Sequence, residues 1–104
     1  MSTGWPEEGL HLVMCTARWC VACKRYDLDT LKDICTQNDT ILHVIDVEDV
    51  ETGGFEDQLL DKHAVEELPT FLLIEDGHLH ARVTGVTHKR PMRSVAKLFS
   101  KRTK

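Results

Sequence analysis

Apolar residues fall along the chain in short clusters whose spacing alternates between strand-like and helix-like periods. Leu10, Leu12, Val13 and Met14 lead a run over residues 10–16 that is too short for a helix and reads as a buried strand. Over residues 20–36, Cys23, Tyr26, Leu31 and Ile34 recur at helical spacing with Lys and Asp between them, which predicts one amphipathic helix. Asn38-Asp39 is a turn signal. Residues 41–47 are mostly apolar, the pattern of a strand covered on both faces. An acidic stretch over 48–51 and Gly53-Gly54 make a loop, and a short helix follows over 55–63. Leu68-Pro69-Thr70 opens a further apolar strand over 71–74. Asp76-Gly77 is a hairpin signal, followed by an alternating strand over 78–84 with Leu79, Ala81 and Val83 on one side and Gly85 at its end. Pro91 suits the first turn of a last helix that repeats Met92, Val95, Ala96 and Phe99.

The predicted order is βαβαββα. A strand, a crossover helix and a second strand form a parallel unit, and the closing hairpin adds two antiparallel strands. The expected fold class is therefore α/β, a mixed sheet of about four strands with helices on both faces. The 104 residues suffice for one domain with its own core, with residues 1–9, which hold Gly4, Pro6 and Gly9, as coil. No internal repeat, linker or low-complexity tract divides it.

Composition narrows the class. With 41% apolar and 29% charged residues and no apolar run near the length of a membrane span, no membrane partner is expected. The N-terminus has no basic stretch followed by an apolar one, so the expected location is the cytoplasm. Net charge is −4 but uneven: all 17 acidic residues precede Val86, and seven of the 13 Lys and Arg residues follow Gly85. Cations on a terminal helix complement its C-terminal dipole and the acidic body. Without interleaved aromatics beyond Phe99, nucleic acid is not an expected partner.

The candidate chemistry lies in Trp19-Cys20-Val21-Ala22-Cys23-Lys24. Two cysteines at this spacing beside a βαβ pattern point to redox chemistry or to a metal. Placed at the start of the predicted helix, Cys20 meets unpaired N–H groups and the positive end of the macrodipole, which favour a thiolate. Arg18, Lys24 and Arg25 add positive charge nearby. The four cysteines together read C-x4-C-x2-C-x11-C, a spacing that begins like a plant-type ferredoxin, but a strand followed by a helix is not a cluster-binding loop.

Three features in order make the chain resemble the thioredoxin family over residues 10 to about 100. They are Trp19-Cys20-x-x-Cys23-Lys24, then Leu68-Pro69-Thr70, then Gly77 and Gly85 flanking the last strand. The resemblance implies a thioredoxin-like fold and a protein disulfide oxidoreductase, most simply a reductase. In it Cys20 is the nucleophile and Cys23, more buried, the resolving thiol. Trp19 is implied to shape an apolar rim for the substrate, and Pro69 to be cis, leaving the Thr70 backbone to pair with an extended substrate strand. Val21, Ala22 and Lys24 are implied to tune the pair. No cofactor or metal is implied beyond the Cys20–Cys23 disulfide itself. The implied partners are disulfide-containing proteins and, as electron donor, a thioredoxin reductase or a low-molecular-weight thiol, acting on a monomer. A thioredoxin-fold adaptor with weak redox activity is the alternative.

The sequence also departs from the family. Val21-Ala22 stands where thioredoxins usually carry Gly-Pro. The family's buried acid falls on Met14 and its accompanying lysine on Val44, so an apolar pair replaces a charged one. The family's leading strand and helix are largely missing, which leaves residues 41–47 as a candidate sheet edge that Trp5 is placed to cover. Of the remaining candidates, Cys15 reads as a small core residue and Cys35 as an exposed accessory thiol near a helix end. His78 and His80 share one face of a strand with His88 near, and His43 and His63 have no evident partner.

Overall fold

The computed structural model describes residues 8–84 and 91–100. Expectations for Trp5, Gly85 and His88 lie outside the described residues. Four strands, β1 (Leu10–Thr16), β2 (Ile41–Asp46), β3 (Thr70–Glu75) and β4 (His78–Thr84), form one sheet in the order β2-β1-β3-β4. β1 is parallel to β2 and antiparallel to β3, and β3 is antiparallel to β4. Three helices, α1 (Leu28–Gln37), α2 (Phe55–Lys62) and α3 (Pro91–Ser100), complete the predicted order.

Alternation along β1 builds both halves of the core. Leu10, Leu12 and Met14 join Leu31 and Cys35 of α1, Phe71 and Leu73 of β3, and Val95, Leu98 and Phe99 of α3. Val13 and Cys15 face the other way and pack with Ile45, Leu72, Ile74 and Leu59 of α2. The strand is apolar from Leu12 to Cys15 because both its faces are covered there. Asp76 and Gly77 take φ of 51° and 83°, the paired positive values of a tight hairpin turn between β3 and β4.

Four expectations are corrected. First, the helix expected over 20–36 is broken. A short 3-10 turn covers Ala22–Arg25, Tyr26 and Asp27 are extended, and α1 starts only at Leu28. Asp27 is the reason: its carboxylate accepts bonds from the Thr30 N–H at 3.1 Å and the Thr30 hydroxyl at 2.6 Å, an N-cap that restarts the helix. The same bonds hold the Asp27 pKa below its usual value. The break also lets Tyr26 bury its ring against Phe71, with centroids 4.8 Å apart.

Second, β2 is an edge of the sheet among the described residues, as the departure from the family suggested, but it is not covered on both faces as its apolar pattern suggested. Ile45 is buried, whereas Ile41 and Val44 are largely exposed. Met14 is buried as expected, but Val44, its register partner, is 47% exposed, so the apolar replacement for the family's charged pair is half in solvent. Third, a bulge between Leu73 and Ile74 shifts the β3–β4 register, pairing Leu73 with Ala81 but Ile74 with Leu79. Leu79 therefore packs on the α2 side, while Ala81 and Val83 pack on the α1–α3 side.

Fourth, His43 has a partner. His11 Nε2 bonds the Glu8 carbonyl and so carries a hydrogen, which leaves Nδ1 of the neutral ring to accept from His43 Nε2 at 2.9 Å. This tautomer is assigned from the bonding pattern. Burial, and then repulsion from His11, hold the His43 pKa below 6.5. Burial, with Lys62 and Arg82, does the same to His63, whose Nε2 is buried without a partner among the described residues.

Two outcomes test this description. Met14→Asp buries an acid without a cation, and is expected to lower Tm at neutral pH by on the order of 10 °C, with Met14→Leu nearly neutral. Unfolded histidines take up protons that folded His43 and His63 refuse. Stability is therefore expected to fall as pH drops below about 6.5, and His43→Asn to flatten part of that fall in denaturant titrations from about pH 7 to about pH 5.

Candidate active site

The site forms where β1 ends. The antiparallel register sets Cys15 opposite Thr70, so the exit of β1 and the entry of β3 lie at the same end of the sheet. After Thr16 the chain turns tightly, with the Cys20 N–H donating to the Ala17 carbonyl at 3.0 Å. The 3-10 turn then carries Cys23 back toward Cys20. The two are joined by a disulfide with Cα atoms 5.4 Å apart, and the Cys23 N–H points at Cys20 Sγ, 3.2 Å away.

The helix break changes the electrostatics expected for Cys20. It precedes a four-residue 3-10 turn rather than a long helix, so no extended macrodipole reaches it. The local donor is the Cys23 N–H. Nor does burial separate the two sulfurs as expected: Cys20 is 5% exposed and Cys23 4%. Arg18 contributes little net charge, because it bonds Asp49 at 3.0 Å and approaches Asp46 at 3.8 Å. Lys24 is exposed and makes no ion pair among the described residues.

On the outer surface, Trp19 and Val21 are 62% and 79% exposed, two apolar side chains flanking Cys20 that nothing among the described residues covers. Ala22 is half-buried. The Leu68–Pro69 bond is cis, and Pro69 is fully buried at the start of β3. Thr70 does not have the free backbone expected of it. It lies inside the sheet between Cys15 and Thr84, its side chain is buried, and its hydroxyl donates to the Glu67 carbonyl. Half-buried Leu68, one step before the proline and outside the strands, is the nearest residue outside the sheet register that has a backbone N–H.

Behind the pair lies a cavity of about 190 Å³ lined by Met14, Thr16, Cys23, Lys24, Tyr26, Leu28 and Val44. Met14, Tyr26, Leu28 and Val44 make most of its wall apolar, and no carboxylate lines it among the described residues. Tyr26 was legible only as a core position. Its place beside Cys23 follows from the break that Asp27 imposes, and the Asp27-x-x-Thr30 pattern is the signal that reveals it.

The other two thiols are inert. Cys15 is fully buried, which pushes its pKa up to about 12 despite the opposing charge of Arg82. Cys35 is 2% exposed rather than an exposed accessory thiol, and burial pushes it up to about 11. His78 and His80 are exposed, and no group of three His, Cys, Asp or Glu among the described residues could hold a metal ion.

The thioredoxin family model matches residues 5–98. The fold is similar to that of Schistosoma mansoni thioredoxin, with a TM-score of 0.71 at 22% identity, covering 94% of this chain and 81% of that one. A mutant thioredoxin from Halobacterium salinarum gives 0.70 at 22% identity, with 93% and 77% covered. The germline-specific thioredoxin Deadhead of Drosophila melanogaster gives 0.64 at 25% identity, with 88% and 82% covered. None of the curated proteins compared with the chain matches it.

Cys15 and Cys35 lie inside the sheet and α1 with thiol pKa values pushed up to about 12 and about 11, whereas Cys20 and Cys23 lie on the turn after β1, and this difference predicts a thiol count. After reduction and removal of the reductant, a small aromatic disulfide reagent is expected to react promptly with two thiols of the native protein at neutral pH, and with all four in denaturant. Peptide mapping is expected to assign the fast pair to Cys20 and Cys23.

Proposed function

The chain belongs to the thioredoxin family, and from that membership and its Cys20–Cys23 pair we propose that it is a thiol–disulfide oxidoreductase that reduces disulfides in other proteins. The observation that carries the reading is the pairing of the two sulfurs, with the Cys23 N–H on Cys20 Sγ, at the sheet end where cis-Pro69 enters β3.

In the reduced enzyme Cys20 is the nucleophile. A donor fixed 3.2 Å from its sulfur favours the thiolate over the thiol. The thiolate attacks one sulfur of a substrate disulfide. A Cys20–substrate bond forms, the substrate S–S bond breaks, and the departing substrate thiolate takes up a proton. Cys23 then attacks Cys20 Sγ. The Cys20–Cys23 bond forms, the Cys20–substrate bond breaks, and the substrate leaves with both sulfurs reduced. A thioredoxin reductase or a low-molecular-weight thiol supplies the two electrons that restore the dithiol. The cycle uses no bound cofactor beyond the disulfide.

Exposed Trp19 and Val21 offer an apolar landing surface for the substrate chain. The segment just before Pro69 provides backbone outside the sheet for an extended substrate to pair with. Thr70 supports this arrangement from inside the sheet. Val21 and Ala22 hold the turn between the sulfurs, where the change from the family's Gly-Pro alters the reduction potential. A protein disulfide and its reductase meet in a reducing compartment, consistent with the cytoplasm.

Reduction of a protein disulfide by dithiothreitol is expected to accelerate when the chain is added, and Cys20→Ser to return the rate to that of dithiothreitol alone. Cys23→Ser is expected to accumulate mixed disulfides through Cys20, separable on non-reducing gels and released by reductant. Absence of both acceleration and trapped species would leave the adaptor reading in its place.

A further inference from the structure

The cysteine turn leaves the sheet between two acidic segments. In the strand order β2-β1-β3, the exit of β1 lies beside the exit of parallel β2 and the entry of antiparallel β3. From β2 the chain runs on through Asp46, Glu48, Asp49 and Glu51. Into β3 it runs through Glu66 and Glu67, directly before Leu68 and cis-Pro69. Adjacent strands are about 5 Å apart, so the two segments border the turn on either side.

The first segment is fastened to the turn. The Val47 N–H donates to the Thr16 carbonyl at 2.8 Å, and Arg18 holds Asp49 at 3.0 Å and Asp46 at 3.8 Å. The Glu48 N–H donates to the Asp46 carboxylate at 2.9 Å, which braces the loop from within. In the second segment the Thr70 hydroxyl holds the Glu67 carbonyl. Arg18 is neutralised by its two aspartates. Exposed Glu48, Glu51, Glu66 and Glu67 have no ion pair among the described residues.

We propose that this surface selects disulfides that lie in basic segments of the substrate. Apolar side chains beside the substrate cysteine rest on Trp19 and Val21, and its flanking lysines or arginines meet Glu48 and Glu51 on one side and Glu66 and Glu67 on the other. The inference rests on the reductase reading above and names its substrate class. An exposed apolar face bordered by unpaired carboxylates complements an apolar segment that carries cations, and repels an acidic one. An extended substrate pairing with the backbone at Leu68 runs alongside Glu67 and Glu66, and presents every second side chain, about 7 Å apart, to the same side. Lys24 and Arg25, exposed on the 3-10 turn, oppose this field, and the four unpaired glutamates outnumber them. Because these charges are exposed, they act mainly on the encounter with substrate and are screened by salt.

The test uses three oxidised peptides with one cystine core and flanks of lysine, glutamine or glutamate. Each is mixed with excess protein that has been reduced and freed of reductant, and its rate is divided by its rate with dithiothreitol, which cancels the effect of the flanks on the disulfide itself. At low ionic strength the lysine peptide is expected to react about tenfold faster than the glutamate peptide, and in about 0.5 M salt within about twofold. Glu48→Gln with Glu51→Gln, or Glu66→Gln with Glu67→Gln, is expected to lower the low-salt ratio about threefold, and the four together to bring it near one. Glu8→Gln with Asp39→Asn removes two exposed acids before the starts of β1 and β2, at the other end of the sheet, and is expected to retain most of the ratio. Equal rates for the lysine and glutamate peptides, a faster glutamate peptide, or the same loss from Glu8→Gln with Asp39→Asn as from either glutamate pair, would overturn the inference and leave the reductase reading standing. Reduction of none of the three peptides would sink the reductase reading, and this inference with it.

Discussion

β1 is held on both edges, parallel to β2 and antiparallel to β3, with its side chains shared between two cores. Everything chemical in the molecule depends on that pairing. The antiparallel register fixes Cys15 opposite Thr70, and four residues after Thr16 and one before Thr70 stand Cys20 and Pro69. A slip of one residue would turn Leu12 and Met14 toward α2, and Val13 and Cys15 toward α1. It would also carry the cysteine turn away from the cis-proline entry to β3. Full burial of β1 makes such slips costly. The site is therefore positioned by a strand that is buried from Leu10 to Cys15, although its own turn is short and lies at the surface.

The turn itself is built by local bonds rather than by a long helix. The bond from Cys20 N–H to the Ala17 carbonyl and that from the Cys23 N–H to Cys20 Sγ bring the sulfurs together, and Asp27 then ends the turn by capping α1. This arrangement separates the reactive pair from the macrodipole of α1 and gives Tyr26 a buried position beside Cys23. Behind the sulfurs, Met14 and Val44 replace a buried acid and its lysine with apolar side chains. An apolar pair avoids the cost of an unpaired buried charge. It also leaves Cys23 in a cavity with no carboxylate among its described lining residues.

Much of this was legible in the sequence. The strand limits of β1 and β4, the hairpin at Asp76-Gly77 and the cysteine pair all carry local signals, and each lies where those signals indicate, while the cis-proline was implied by the family resemblance. The helix break was written in Asp27 and Thr30, but a continuous apolar period across residues 20–36 masked it. Other features had no local signal. The His11–His43 bond depends on how two parallel strands align, and those residues are 32 positions apart. The exposure of Val44 depends on β2 having no neighbour on its outer side among the described residues, which apolarity alone does not reveal. The turn of Leu79 toward the α2 side follows from a bulge on the far side of the sheet from β2. Cys35 was misread for a related reason: only the packing of α1 against the sheet shows which side of its last turn is buried.

The central claim is that Cys20 and Cys23 form a reversible redox disulfide while Cys15 and Cys35 remain core thiols. The most direct measurement equilibrates the native protein in glutathione buffers of graded potential, quenches it with an alkylating agent and maps the modified peptides. A two-electron transition confined to the Cys20–Cys23 peptide, with Cys15 and Cys35 in the thiol form at every potential, is the result predicted. No transition at Cys20 and Cys23, or one that draws in Cys15 or Cys35, would contradict it.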